Sequence, residues 1–368
     1  MEINRIIEQI VKNKRQDMDG DKKIARVLEG ETVDMLPLIF WKPRFASVPG
    51  MTYDLEEQFF NKEKMLAGHL EEIAEVAGNA FDAPLCVRPN FGTIFVPAIC
   101  GLKYKVFGDK YPWLEGHLTK DEAMSLVLPD LDKSEMMNMC TEYIRYFKET
   151  LPDWIHIYHP DTQGPFDIAH LLVGDSIFYE IYDDPAHVHR LMELCTETYI
   201  EVSRRLKAVI CEGMNSCYHG HALARGIYMR NGGVRISEDT ATLLSPEQID
   251  EFVIPYDRKA LAVFGGGFVH YCGRNEYLLE AYLKVDEIRA LNLGNPEMYD
   301  FDKTMKKFIE SGKSYFGMWP KKEGETLEQY MTRMKGASCG GQKGLLLHFD
   351  ENMYPEYSPA QILEMWNR

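Results

Sequence analysis

The chain has 368 residues, 45% of them hydrophobic and 27% charged, which is enough apolar material for a large core and speaks against a disordered chain. Its 41 basic and 57 acidic side chains give a formal charge of −16, which argues against general electrostatic binding to nucleic acid or anionic membrane. No apolar run approaches the ~20 residues that span a bilayer, no apolar leader opens the chain, and its eight cysteines include no Cys-x-x-Cys pair, so reduced thiols in the cytoplasm are expected.

Residues 1–30 read as a helical extension that plugs one end of the fold. Leu36–Phe40 reads as the first strand, followed by Lys42 and Arg44 in Trp41-Lys42-Pro43-Arg44. From Asp54 to Asn79, Leu55, Phe59, Leu66, Leu70, Ile73 and Val76 fall near one helical stripe. A weak strand near Pro84–Val87 belongs to an irregular stretch, 81–117, broken by prolines and glycines and expected to hold a hairpin. Ile155–Tyr158 is a strand with Asp161 and Gln163 just beyond its end. The helix from Pro185 has Asp184 as its cap, and Gly213 lies where its stop is expected. Asn215–Tyr218 and Val234–Ser237 are apolar runs followed by His219 and His221 in the first case and by Glu238 and Asp239 in the second. Phe268–Tyr271, Ile288–Leu291, Ser314–Met318 and Leu345–Phe349 complete the strands, while Ser245 and Ser358 each open a helix with a capping box. This alternation predicts an α/β fold, an eight-stranded (β/α)8 TIM barrel with one or two hairpin strands in excess, spanning 1–368 as a single domain.

In such a barrel the site lies at the C-terminal ends of the strands, which sorts the polar residues. His270 and Cys272 share one face of a strand end, and an imidazole beside a thiolate is half of a zinc site. Of Glu238 and Asp239, alternation sends one into the mouth as acid/base group or metal ligand. His219 and Tyr218 are further catalytic candidates. Lys42, Arg44, Asp161, Gln163, Arg235 and Asn292 lie just after or on strands and could hold a small substrate, the cations by binding an acidic group. Cys339 precedes the last strand and falls at the wrong end, so His348 and Asp350 outrank it as completing ligands. The chain carries no Gly-x-Gly-x-x-Gly, no phosphate-binding Gly-x-x-x-x-Gly-Lys-Ser/Thr loop and no Gly-x-Ser-x-Gly elbow.

Three stretches together resemble the uroporphyrinogen decarboxylase superfamily. They are Gln163-Gly164-Pro165-Phe166-Asp167-Ile168-Ala169, then Leu243-Leu244-Ser245-Pro246-Glu247 leading to Phe252-Val253-Ile254-Pro255-Tyr256, and His270-Tyr271-Cys272-Gly273. The resemblance runs from the Ile24–Gly30 segment to the terminus and implies a (β/α)8 barrel. True decarboxylases of that superfamily carry Arg-Gln-Ala-Gly-Arg after the first strand, where this chain has Trp41-Lys42-Pro43-Arg44-Phe45. The methyltransferase-like branch binds zinc through His-x-Cys and a later Cys, and works with corrinoid (cobalamin) proteins. His270 and Cys272 match its first two ligands, but His348-Phe349-Asp350-Glu351-Asn352 stands where the later Cys belongs. The resemblance therefore implies zinc-assisted methyl transfer between a corrinoid protein and a small methyl donor or thiol acceptor, with Glu238, His348 or Asp350 completing the metal shell. The alternative is a metal-free decarboxylase that holds a carboxylated substrate with Lys42, Arg44 and Arg235 and moves a proton with Asp239 or Tyr218. A homodimer is compatible with either.

Overall fold

The computed structural model describes residues 2–13, 20–41, 52–76, 83–220 and 226–368. Lys42, Arg44 and His221 lie outside the described residues.

Twelve strands are described, and in chain order they are β1 Leu38–Trp41, β2 Leu85–Val87, β3 Tyr104–Lys105, β4 Trp113–Leu114, β5 Ile155–Ile157, β6 Cys217–His219, β7 Ile227–Met229, β8 Val234–Ser237, β9 Gly267–Tyr271, β10 Ile288–Leu293, β11 Ser314–Gly317 and β12 Leu345–Asp350. Six of them make one parallel sheet in the order β1-β12-β11-β10-β9-β8, so the first strand lies against the last. β2 and β5 form a parallel pair of their own. Six and two are the eight strands of a (β/α)8 barrel, with the β2–β5 pair between β1 and β8. Side chains bridge the β5–β8 seam, where Arg235 of β8 reaches Asp161 just beyond β5. The expected barrel strand Asn215–Tyr218 is instead β6 of an antiparallel hairpin with β7, and the irregular stretch holds the β3–β4 hairpin.

β9 is buried along its whole length, and so are β11 and all of β12 except its last residue, as central strands of a sheet covered by helices must be. Inward-facing rings meet edge to face across the barrel, Phe268 on Phe316 at 4.9 Å and His219 on Phe268 at 5.0 Å. This aromatic layer is the floor beneath the strand ends.

Local chemistry explains two departures from the sequence reading. The stripe from Asp54 is two helices, Leu55–Phe60 and Lys62–Val76. Asn61 between them is extended, and its side chain accepts from the Glu63 and Lys64 amides, so it caps the second helix instead of continuing the first. The helix Pro185–Ile210 stops at Cys211, which is left-handed with φ 65°, two residues before Gly213. The buried Lys207 amine fixes the turn beyond it by donating to Glu212, to the Gly213 carbonyl and to the Ser216 carbonyl. Both serine capping boxes are present.

At the N-terminal ends of the strands, the helix Gly20–Leu28 closes the barrel. Val27 accepts from the Ser314 hydroxyl at the start of β11, and Asp21 accepts from the Tyr218 phenol. The opposite, C-terminal end is left for the site.

Candidate metal centre

Three potential ligands meet at the C-terminal ends of β8 and β9. The ligand atoms of Asp239, His270 and Cys272 all lie within 4.8 Å of one another. His270 Nε2 stands 3.5 Å from Cys272 Sγ and 3.7 Å from Asp239 Oδ1. Parallel pairing sets this up: Ser237 of β8 is level with His270 of β9, so the chain two residues on from each brings Asp239 beside Cys272. The Cys272 amide donates to Asp239 Oδ1 at 2.6 Å and fixes that approach.

The imidazole is held in one tautomer. Asn292 Nδ2 donates to the Phe316 carbonyl at 2.6 Å, which turns its Oδ1 toward His270 Nδ1, also at 2.6 Å. Nδ1 therefore carries the proton, and Nε2 presents its lone pair to Cys272 and Asp239. Burial, assisted by the field of Arg235, lowers the His270 pKa to about 4 and keeps the ring neutral, the form that binds metal. Burial and the Asp239 carboxylate push the Cys272 thiol up to about 12, so Cys272 stays protonated until a cation displaces the proton.

The space around these atoms is closely shaped. A Cβ added to Gly294 would stand 2.5 Å from Cys272 Sγ and 3.2 Å from His270 Cε1. Gly294→Ala is therefore expected to splay the histidine and cysteine apart and lower metal affinity while the circular dichroism spectrum stays native. Unchanged zinc affinity in that variant would show the cradle to be unimportant.

The other sequence candidates lie apart from this cluster. Glu238 is fully buried, and its carboxylate accepts from the Phe166 and Asp167 amides at 3.0 and 2.9 Å, so it faces a helix end and not the mouth. Of the two adjacent carboxylates, alternation leaves Asp239 on the Arg235 face, toward His270. His348 packs on Phe316, and its Nε2 has no hydrogen-bond partner among the described residues; burial lowers the ring to about 4. Asp350 accepts from the amide and side chain of Asn352, a local turn that occupies it. Tyr218 donates to Asp21 and stacks on His156 at the closed end, away from the mouth. Asn292, read as a substrate contact, has both side-chain ends engaged and orients His270 instead.

A second polar cluster lies one layer down. Asp161 Oδ1 accepts from Arg235 at 2.7 Å and from Gln163 at 2.6 Å, while Arg88 stands 3.9 Å from Oδ2. Both arginines are nearly inaccessible. Burial alone would raise the Asp161 carboxyl, but the two guanidinium groups and the hydrogen bonds outweigh it and hold the pKa at about 2. His159 and His219 line a small cavity beside Arg235, and burial lowers both rings well below their ordinary range. Arg235 Nε and His159 Nε2 have no hydrogen-bond partner among the described residues, so this layer keeps polar capacity in reserve.

Sequence reasoning missed Arg88, Asn295 and Asp167. Arg88 follows a weak strand, and its partner Asp161 is far along the chain, so no local pattern exposes it. Asn295 accepts from the Gly273 amide at 2.8 Å and pins the turn after Cys272. Asp167 stands inside the Gln163–Ala169 stretch, yet by local pattern it reads as an ordinary first-turn helix residue.

The profile of uroporphyrinogen decarboxylase (URO-D) matches residues 19–215, more than half of the chain. The chain belongs to the uroporphyrinogen decarboxylase family. A methyltransferase from Methanosarcina mazei superposes with a TM-score of 0.66 over 95% of this chain and 98% of that one, at 14% identity, a likeness of fold. No curated protein matches the chain. The matched region ends before β8, so the His270–Cys272–Asp239 cluster of this URO-D family member lies wholly outside it. Among the described residues, no helix is long and apolar enough to cross a membrane.

Proposed function

We propose that this URO-D family member is an enzyme of the methyltransferase-like kind, with a zinc ion held by His270, Cys272 and Asp239. The observation that carries the reading is the convergence of one imidazole, one thiol and one carboxylate at adjoining strand ends. Nitrogen, sulfur and oxygen donors on three side chains are the composition of a zinc site that keeps a position open for substrate. When bound, zinc supplies Lewis acidity and lowers the pKa of a thiol that binds to it. The M. mazei methyltransferase supports the assignment through its shared fold, and the resemblance of His270-Tyr271-Cys272-Gly273 to the methyltransferase-like branch implies a corrinoid carried by a separate protein as the methyl partner.

The chain's own residues divide the remaining work. Asn292 keeps His270 Nε2 facing the open position. Cys272 enters the site as a thiol and gives up its proton on binding. Asp239 places a negative charge beside the thiol and is itself half-exposed at the mouth. Arg235, with Arg88 and Asp161 behind it, sets a positive field one layer down, suited to the acidic end of a small substrate. Asp161 and Gln163 would act there by orienting Arg235.

The test is demethylation of free methylcobalamin with a series of small thiols, followed by the cobalamin absorbance change. The zinc-loaded protein is expected to demethylate methylcobalamin, and a chelator to stop it. No demethylation with any thiol, together with chelator-insensitive release of carbon dioxide from a small acid, would favour the metal-free decarboxylase in its place.

A further inference from the structure

Two segments far apart in the chain exchange hydrogen bonds reciprocally just behind Asp239. The helix Pro165–Val173 begins at Gly164 with no side-chain cap of its own. The Glu238 carboxylate takes that role from across the β5–β8 seam, accepting from the Phe166 and Asp167 amides. In return, the Asp167 carboxylate accepts from the Asp239 amide at 2.9 Å and the Thr240 amide at 2.8 Å. Gly164 permits the close approach, since a Cβ there would fall 2.2 Å from Glu238 Oε1. Glu238, Asp167 and Asp257 are all buried, and Asp257 accepts from the Tyr282 phenol. Three buried carboxyl groups in one place are costly to maintain. Yet the helix start alone needs only an ordinary N-cap.

What the arrangement does achieve is to fix the backbone of the residue that carries the third ligand. Asp239 is held from both sides: its amide by Asp167, and its carbonyl by the Thr242 hydroxyl at 2.7 Å. Asn275 ties the next turn by donating to the Thr242 and Leu244 carbonyls. We infer that Asp167 is a positioning residue for metal binding, which with Glu238 clamps the Asp239 loop so that its carboxylate meets His270 and Cys272. This rests on the proposed metal centre and adds to it the buried pair that builds the third ligand's position. Without the clamp, the half-exposed Asp239 side chain would have to order its own loop on each binding event, at a cost in affinity.

Cobalt(II) is the probe, because its visible absorption reports both coordination geometry and thiolate ligation. The wild type, Asp239→Ala, Asp167→Ala and Asp167→Asn would be titrated with cobalt(II) against a competing chelator, with thermal unfolding of each followed separately. Asp167→Ala is expected to weaken cobalt binding roughly 10–100-fold, the range for residues that orient ligands. Its d–d bands are expected to move toward those of Asp239→Ala while the thiolate band from Cys272 persists. Asp167→Asn, whose side-chain oxygen can still accept one amide, is expected to recover part of the affinity. If folded Asp167→Ala binds cobalt with wild-type affinity and spectrum, the clamp is overturned and Asp167 is merely structural. Should Asp167→Ala fail to fold, wild-type affinity and spectrum in Asp167→Asn would overturn the clamp equally. If the wild type and Asp239→Ala bind cobalt alike, the metal reading itself fails and takes the clamp with it.

Discussion

Replacing Cys272 by Ser, or His270 by Ala, is expected to take the purified protein from about one equivalent of zinc to below about a tenth. Each substitution removes one of three protein ligands. Glu238 and Asp350 are engaged elsewhere, and His348 is not among the three side chains that converge. Asn292→Leu should act more gently, because Nε2 remains but its tautomer is no longer imposed; a loss of roughly 10–100-fold in zinc affinity is expected. Cys272 lies at a strand end near solvent, so metal-free Cys272→Ser should unfold in urea within about 0.5 kcal/mol of the metal-free wild type. Zinc content by metal analysis and affinity by chelator competition decide the matter. A Cys272→Ser protein that keeps a full equivalent of zinc would overturn the metal centre.

The largest effect on stability is expected at Asp161. Asp161→Ala leaves the Arg235 and Arg88 guanidinium groups buried and uncompensated, and breaking such a pair from one side costs about 3–5 kcal/mol. Removing both charges at once, in Asp161→Leu with Arg235→Met, should recover much of that loss, because the desolvation penalty disappears with the charges. Equilibrium unfolding in urea of the single and double variants measures the difference. If Asp161→Ala unfolds within about 1 kcal/mol of the wild type, the level of a surface pair, the ion pair is not fully desolvated. The same pair sets an acid dependence. The folded carboxyl titrates at about 2 and an unfolded aspartate near 3.9, so the unfolded chain takes up the proton first as pH falls. The stabilisation is therefore complete above about pH 4 and drains away between roughly pH 4 and pH 2. In Asp161→Leu with Arg235→Met, that part of the acid sensitivity should be missing.

How far the site was legible in the sequence differs residue by residue. His270 and Cys272 were readable because period-2 alternation puts i and i+2 on one face, whatever lies around the strand. The same rule separated Glu238 from Asp239, but could not say which of them faces the mouth. That depends on which side of β8 faces the barrel interior, and the pairing of β8 with β9 settles it. Asn292 was legible as a polar group on an inward strand but not as the partner of His270, because its partners come from the neighbouring strands β9 and β11. Asn215–Tyr218 looked like any other barrel strand. It pairs antiparallel with β7, which its own composition does not encode.

The sequence by itself determined the alternation of strands and helices, the capping of the helices and the histidine–cysteine pair, because each rests on contacts between residues a few positions apart. Only the tertiary structure decided that Asp239 joins that pair, that Glu238 turns away to cap a distant helix, and that Asp161 locks Arg235 beneath the mouth. Those outcomes depend on which strands become neighbours and in what register. Burying the apolar faces of the whole barrel sets that arrangement, and no single segment encodes it.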